Sequence, residues 1–111
     1  MKLITAIVRP DKLDELIGAL IGNQAHGLTV TEVRGFGRQF GQLAAGEGLP
    51  RVALLPKIRL DVVALDDDVE SLVEAIAKHA RRETIGDGKI WITPVNGAMR
   101  VRTGEWDRAA I

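Results

Sequence analysis

Apolar residues recur along the chain with two periods, and the places where the period changes outline the fold. Leu3 to Val8 is a short apolar run that reads as a buried strand. Beyond Arg9-Pro10-Asp11-Lys12, the residues Leu13, Leu16, Ile17, Leu20 and Ile21 fall at i, i+3, i+4, i+7 and i+8, one face of a helix. Gly22 and Gly27 can stop that helix, and Leu28 to Val33, rich in β-branched residues, predicts a second strand. The same order then returns. Ile58, Leu60 and Val62 alternate with Arg59, Asp61 and Val63 as a third strand, Asp66-Asp67-Asp68 offers acidic caps to a helix carrying Val69, Leu72, Val73 and Ile76, and Lys89 to Val95 reads as a fourth strand.

Apolar positions 13, 16, 17 and 20 match 69, 72, 73 and 76 at a constant offset of 56 residues, so the chain is a βαβ–βαβ pseudo-repeat. The fold class expected is α+β: a ferredoxin-like sandwich, with a four-stranded antiparallel sheet, two helices on one face and a long loop between strands two and three. The other face needs a cover, and a closed oligomer supplies one most simply. That loop, residues 37–56, is long for a compact domain. It carries Gly37, Gly41, Gly46 and Gly48, only Arg38, Glu47 and Arg51 as charges, and the apolar set Phe40, Leu43, Leu49, Val52, Leu54 and Leu55. Disordered linkers are more polar than this, so the loop either grips a partner or folds back on its own body.

At 111 residues and 12.0 kDa, residues 1–111 make one domain, small enough for association to help cover its apolar surface. Fifteen basic and fifteen acidic residues balance, which leaves no electrostatic footprint for nucleic acid or an anionic membrane; any anion site must be local. The absence of cysteine rules out disulfides and thiolate metal sites and fits a cytoplasmic chain. The opening apolar run is too short for a signal peptide, and no stretch approaches a membrane span.

Local anion chemistry is concentrated in Thr84-Ile85-Gly86-Asp87-Gly88-Lys89-Ile90 and in Arg100-Val101-Arg102. Glycines at 86 and 88 can take positive φ and bring backbone amides close to an anion, while Lys89 adds a point charge. On an extended strand Arg100 and Arg102 leave the same face and clamp a polyphosphate from the far side. Gly-Asp-Gly is also a common hairpin turn, so these residues alone leave both readings open. The spacing is not that of a Walker A loop. His26 and His79 read as helix-end cations, Trp91 as core, and Trp106 as a cover for a neighbouring subunit. Asp66 to Asp68 lacks the ligand spacing and glycine of a calcium loop.

The segments Met1 to Leu16, Gly27 to Gln39 (with Gly35-Phe36-Gly37-Arg38-Gln39), Thr84 to Ile92 (with Gly86-Asp87-Gly88-Lys89-Ile90-Trp91) and Met99 to Glu105 closely resemble the PII nitrogen-signalling protein family. The resemblance implies a cytoplasmic homotrimer that binds ATP or ADP in clefts between subunits. It would report energy and carbon/nitrogen status through the long loop to a regulated enzyme, transporter or transcription factor, with no direct nucleic-acid contact and no membrane insertion. By position, it implies a phosphate grip of Gly86, Asp87, Gly88, Lys89, Arg100 and Arg102, with Arg38 on the γ-phosphate. Ile7, Thr29, Gly35, Phe36, Gly37, Asp61 and Val63 would line the base and ribose pocket; Asp61 stands where the family more often has glutamate. Gln39 resembles the ligand of a Mg²⁺ that bridges ATP and 2-oxoglutarate, and Lys57 the partner of a 2-oxoglutarate carboxylate. One amide oxygen is protein contribution enough for a Mg²⁺ that shares phosphate and effector oxygens.

The loop departs from the family it resembles. Its best known members carry a modifiable tyrosine there, and others a serine. This chain has no tyrosine at all, residues 37–56 contain no Ser or Thr, and Leu49-Pro50 stands in the tyrosine's place, so no hydroxyl is available there for nucleotidylation or phosphorylation. The leading expectation is a non-enzymatic regulator switched by what it binds. The alternative is a PII-like adenylate sensor that answers another metabolite, such as bicarbonate, without a 2-oxoglutarate response. A phosphoryl-transferring enzyme would need a group poised to activate a nucleophile, and no Asp or Glu here sits in a motif for that role.

Overall fold

The alternation along Leu55–Ala64 sets the orientation of the whole sheet. This strand, β3, buries Ile58, Leu60, Val62 and Ala64 on one face and presents Lys57, Arg59, Asp61 and Val63 on the other. In the computed structural model, which describes residues 1–37 and 53–111, β3 is flanked by β1 (Lys2–Val8) and β2 (Thr29–Gly35), and β4 (Lys89–Pro94) lies outside β1, giving the order β2-β3-β1-β4 with every neighbouring pair antiparallel. Helices α1 (Leu13–Gly22) and α2 (Val69–Ala80) cover one face. Their Leu16, Leu20, Leu72 and Ile76 are fully buried against Ile4, Ala6, Val8, Leu60 and Val62. Each such leucine or isoleucine contributes roughly 1.5–3 kcal/mol through burial. The ferredoxin-like α+β sandwich is thus present as expected.

The pseudo-repeat extends to the helix entries. Arg9 (φ −70°, ψ 140°) and Leu65 (φ −67°, ψ 148°) have nearly the same backbone conformation, and each leads into a one-turn 3-10 segment, Pro10–Lys12 or Asp66–Asp68, before the helix proper. The acidic run does not cap α2 as expected: no side chain caps the helix, and Asp66 instead pairs with the N-terminal ammonium at 2.9 Å. The 3-10 turn explains this, because it places Asp68 in a helical conformation rather than the extended one an N-cap side chain needs.

Two further expectations are corrected. Trp91 is not in the core; its register opposite Thr5 puts it on the helix-free face of edge strand β4, 38% exposed. His26 is not a helix-end cation, since α1 ends at Gly22 and the chain has already turned away. Of the loop between β2 and β3, only residues 36–37 and 53–54 belong to the described part, so its partner contacts lie outside the described residues. Strand pairing runs to Gly35 opposite Leu55, further than apolar alternation alone suggested.

Candidate functional site

Between α2 and β4 the backbone makes a tight loop in which Glu83, Gly86 and Gly88 all have positive φ, at 61°, 96° and 107°. Gly88 has no alternative. A Cβ there would lie 1.8 Å from the carbonyl oxygen of Ile7, so the loop seats directly on the end of β1. Asp87 turns its carboxylate inward, accepting from the amide of Arg82 at 2.8 Å, the amide of Thr84 at 3.3 Å and the Thr84 hydroxyl at 3.4 Å. Burial alone would raise its pKa, but hydrogen bonds from the amides of Arg82, Thr84 and Glu83, with one from Arg9, outweigh that and hold it below the ordinary aspartate range. The carboxylate therefore organises the loop.

Lys57, on β3, donates from Nζ to the carbonyl of Gly86 at 3.0 Å, which joins the expected effector lysine to the expected phosphate cradle. Burial and the nearby Arg9 charge lower its pKa, against a smaller opposing pull from Asp87. The Lys89 side chain has no hydrogen-bond or ion-pair partner among the described residues. Ile7 lies opposite both Arg59 and Lys89, on the same helix-free face. Gly35 ends β2 opposite Leu55, with the half-exposed Phe36 and Gly37 following. Arg38 and Gln39 lie outside the described residues.

A second group gathers at the other end of that face. Thr29, Asp61, Val63 and Arg100 line a cavity of about 690 Å³ together with Leu3, His26 and Arg59, a volume within the usual range for small-molecule sites. Asp61 accepts from the hydroxyl of fully buried Thr5 at 2.8 Å and from Arg59 Nε at 2.9 Å. Burial opposes its ionisation, but those two hydrogen bonds and the Arg59 charge bring its pKa below the ordinary value. From Lys57 to Val63 is six residues along β3, about 20 Å. Across the sheet the two groups adjoin, because Lys89 and Arg59 flank Ile7 on either side.

Arg100 and Arg102 do not project from one face of a strand. A bridge between Met99 and Trp106 closes a hairpin, within which the Gly104 amide donates to the Arg100 carbonyl at 2.8 Å. Gly104, at φ 72°, permits that turn where an extended strand was expected. Arg100 donates to Glu105 Oε1 at 3.2 Å and to the Ile111 carbonyl at 3.3 Å, whereas Arg102 is exposed.

Comparison with known proteins decides the family. The model of the nitrogen regulatory protein P-II matches residues 1–105. The chain is 50% identical to a nitrogen regulatory protein P-II of Cereibacter sphaeroides over the full length of both. It is 48% identical to nitrogen regulatory protein P-II 2 of Methanothermobacter thermautotrophicus, covering all of this chain and 97% of that one. It is 43% identical to the nitrogen regulatory protein GlnK of Escherichia coli K12, again over the full length of both. The chain belongs to the P-II family. Members of this family are signalling regulators, and the P-II fold here carries both groups of residues on its helix-free face.

Several residues of this P-II chain take part in these clusters without having been singled out by sequence. Thr5 is a polar residue in an otherwise apolar strand, a weak signal that its register opposite Asp61 explains. Arg59 enters the sequence reading only through strand alternation, yet its Nε donates to Asp61. His26, singled out only as a helix-end cation, instead reaches the cavity rim through the turn after α1. Arg9 read only as an interruption of an apolar run, yet its guanidinium contacts the glycine loop.

Proposed function

We propose that this P-II chain is a cytoplasmic regulator that assembles as a trimer and binds ATP or ADP in the clefts between neighbours. The glycine loop of one copy would take the phosphates, and the Thr29–Asp61–Val63 cavity with Arg100 and Arg102 of the next would complete the site. The observation that carries this reading is the gathering of the candidate residues on one helix-free face, whose exposed Val63 and Trp91 a second copy of the chain would cover. A neighbour docked there would set its cavity group against the glycine loop of the first copy. Gly86 and Gly88, with positive φ, suit backbone approach to an anion, and Lys89 offers a cation that has no partner among the described residues. Gln39 would then hold Mg²⁺ with ATP and 2-oxoglutarate, and Lys57 would meet an effector carboxylate in place of the Gly86 carbonyl. A bound effector shifts residues 37–56 toward or away from a target only through unequal affinity for their two states.

Calorimetric titration of ATP–Mg²⁺ with and without 2-oxoglutarate tests the reading. Binding should tighten when 2-oxoglutarate is present. Lys89→Ala, which removes a charge-assisted contact, should weaken ATP by roughly 10- to 150-fold; unchanged affinity in that variant removes the glycine loop from the site. A second reading is favoured by the hydroxyl-free loop, in which no residue of 37–56 offers a hydroxyl for nucleotidylation or phosphorylation. In it the chain senses adenylates together with another metabolite such as bicarbonate. Adenylate binding that ignores 2-oxoglutarate but responds to bicarbonate selects it.

A further inference from the structure

The glycine loop is held in place from a segment that lies outside the candidate site, the short junction between β1 and α1. Arg9 reaches across with Nη2 to the Thr84 hydroxyl at 3.2 Å and the Ile85 carbonyl at 2.5 Å, and its Nε lies 3.5 Å from Asp87 Oδ1. Both members of that ion pair are partly buried, and Arg9 Nε itself is shut off from solvent. Two residues further on, Asp11 pairs with Arg82 at the other end of the loop. The two ion pairs have opposite polarity: the junction gives a cation to Asp87 and an anion to Arg82. A shift of the loop along the junction would bring Arg9 toward Arg82 and Asp11 toward Asp87, so the crossed charges favour one register, with the partly buried Arg9–Asp87 pair contributing more than the exposed Asp11–Arg82 pair. The Arg82 amide, bonded to Asp87, ties the two pairs together.

We propose that Arg9, supported by the Asp11–Arg82 pair, is a positioning residue that sets the glycine loop before any ligand arrives. Given the nucleotide reading above, it raises polyphosphate affinity by preorganisation and does not touch the phosphates. The geometry requires arginine specifically. Nη2 donates to a hydroxyl and a carbonyl while Nε, which has no hydrogen-bond partner among the described residues, faces the Asp87 carboxylate as an ion pair; a lysine carries its charge on one nitrogen and could not hold both positions. Asp87 already neutralises the Arg9 charge, which leaves little of it for an anion.

The test uses the full chain with Arg9→Lys and Arg9→Gln. Amide hydrogen exchange is first measured without nucleotide. In both variants the amides of residues 82–89 should exchange at least about tenfold faster than in the parent, while those of β1 and β3 keep their protection. ATP titration should then show both variants weakened to a similar extent, by about tenfold or more. A direct phosphate contact predicts the opposite: Arg9→Lys keeps most of the affinity and Arg9→Gln loses it, and that result overturns the proposal. Unchanged loop exchange in Arg9→Lys overturns it as well. As an independent check, Asp11→Arg and Arg82→Asp should each loosen the loop and together restore its protection; failure of the double variant to restore it counts against crossed pairs as the register device. If the parent chain binds no ATP, the nucleotide reading fails, and the exchange data on the free protein still decide whether Arg9 positions the loop.

Discussion

The glycine loop at 82–88 and the hairpin turn at 99–106 both carry cations on a glycine-containing turn, yet they are held in contrasting ways. The glycine loop takes its shape from distant parts of the chain: Arg9 is 75 and 76 positions from Thr84 and Ile85, and Lys57 is 29 positions from Gly86. The hairpin turn is organised mainly by itself, through an Arg100–Glu105 pair five positions apart and a Gly104–Arg100 backbone bond. A loop tied to β1, β3 and the β1–α1 junction cannot move without disturbing the sheet. A turn closed on its own residues can move as a unit. A cleft built from one element of each kind would have a rigid wall and an adjustable one.

Gly88→Ala should break this comparison most severely. The new Cβ meets the Ile7 backbone, which cannot move aside without unpairing β1, and φ 107° is costly for any L side chain. The strain alone is about 1–3 kcal/mol, so the loop should lift from β1 and nucleotide affinity should fall by at least roughly tenfold. The matching change in the turn, Gly104→Ala, meets no atom within 4 Å and keeps only its φ penalty. Titrating ATP into both variants ranks the two walls; equal losses would show that long-range seating adds nothing.

How much of this could be read from the sequence follows the same division. The strands and helices were legible because their information is periodic and local: Ile58, Leu60 and Val62 are buried as their alternation requires, and Leu16, Leu20, Leu72 and Ile76 as their helical spacing requires. The glycines at 86 and 88 were legible because positive φ is written in the residue type. The role of Asp87 was not, because a carboxylate in a Gly-Asp-Gly string looks the same whether it faces a ligand or its own backbone. Trp91 was misplaced because an edge strand's register, not its composition, decides which face a residue takes. Arg100 and Arg102 were assigned to a strand because Arg-Val-Arg alternates; Gly104, two residues on, holds the turn that overrides the alternation. Thr5, Arg9 and Arg59 matter through partners 56, 75 and 2 positions away, and in the first two cases no window of sequence contains both ends.

Acid should open the loop selectively. The hydrogen bonds that depress the Asp87 pKa stabilise the loop wherever the carboxylate is ionised in both folded and open forms, that is, above the ordinary aspartate value. As pH falls below roughly 4, the open form takes up a proton first, and the stabilisation is lost as pH drops through the depressed folded value. The amide resonances of Arg82, Thr84, Gly86 and Gly88 should therefore move together once pH falls below the ordinary aspartate value, before the β1 and β3 amides do. Asp87→Asn should abolish that step; persistence of the step in the variant assigns it to another group.

The smallest effect sharpens the other side of the comparison. Arg100 is shared between Glu105 and the Ile111 carbonyl, and the side chains of its ion pair are 38% and 45% exposed. Solvent screens such a pair, which limits its worth to about 0–1 kcal/mol. In the proposed cleft, Glu105 competes with phosphate for the same guanidinium and adds a negative charge close to it. Glu105→Gln keeps the size of the side chain and removes the charge, so ATP should bind up to about fivefold more tightly, with the gain shrinking as salt is added. A loss of affinity would mean that Glu105 holds Arg100 in its binding position, and the turn would then be a second fixed wall.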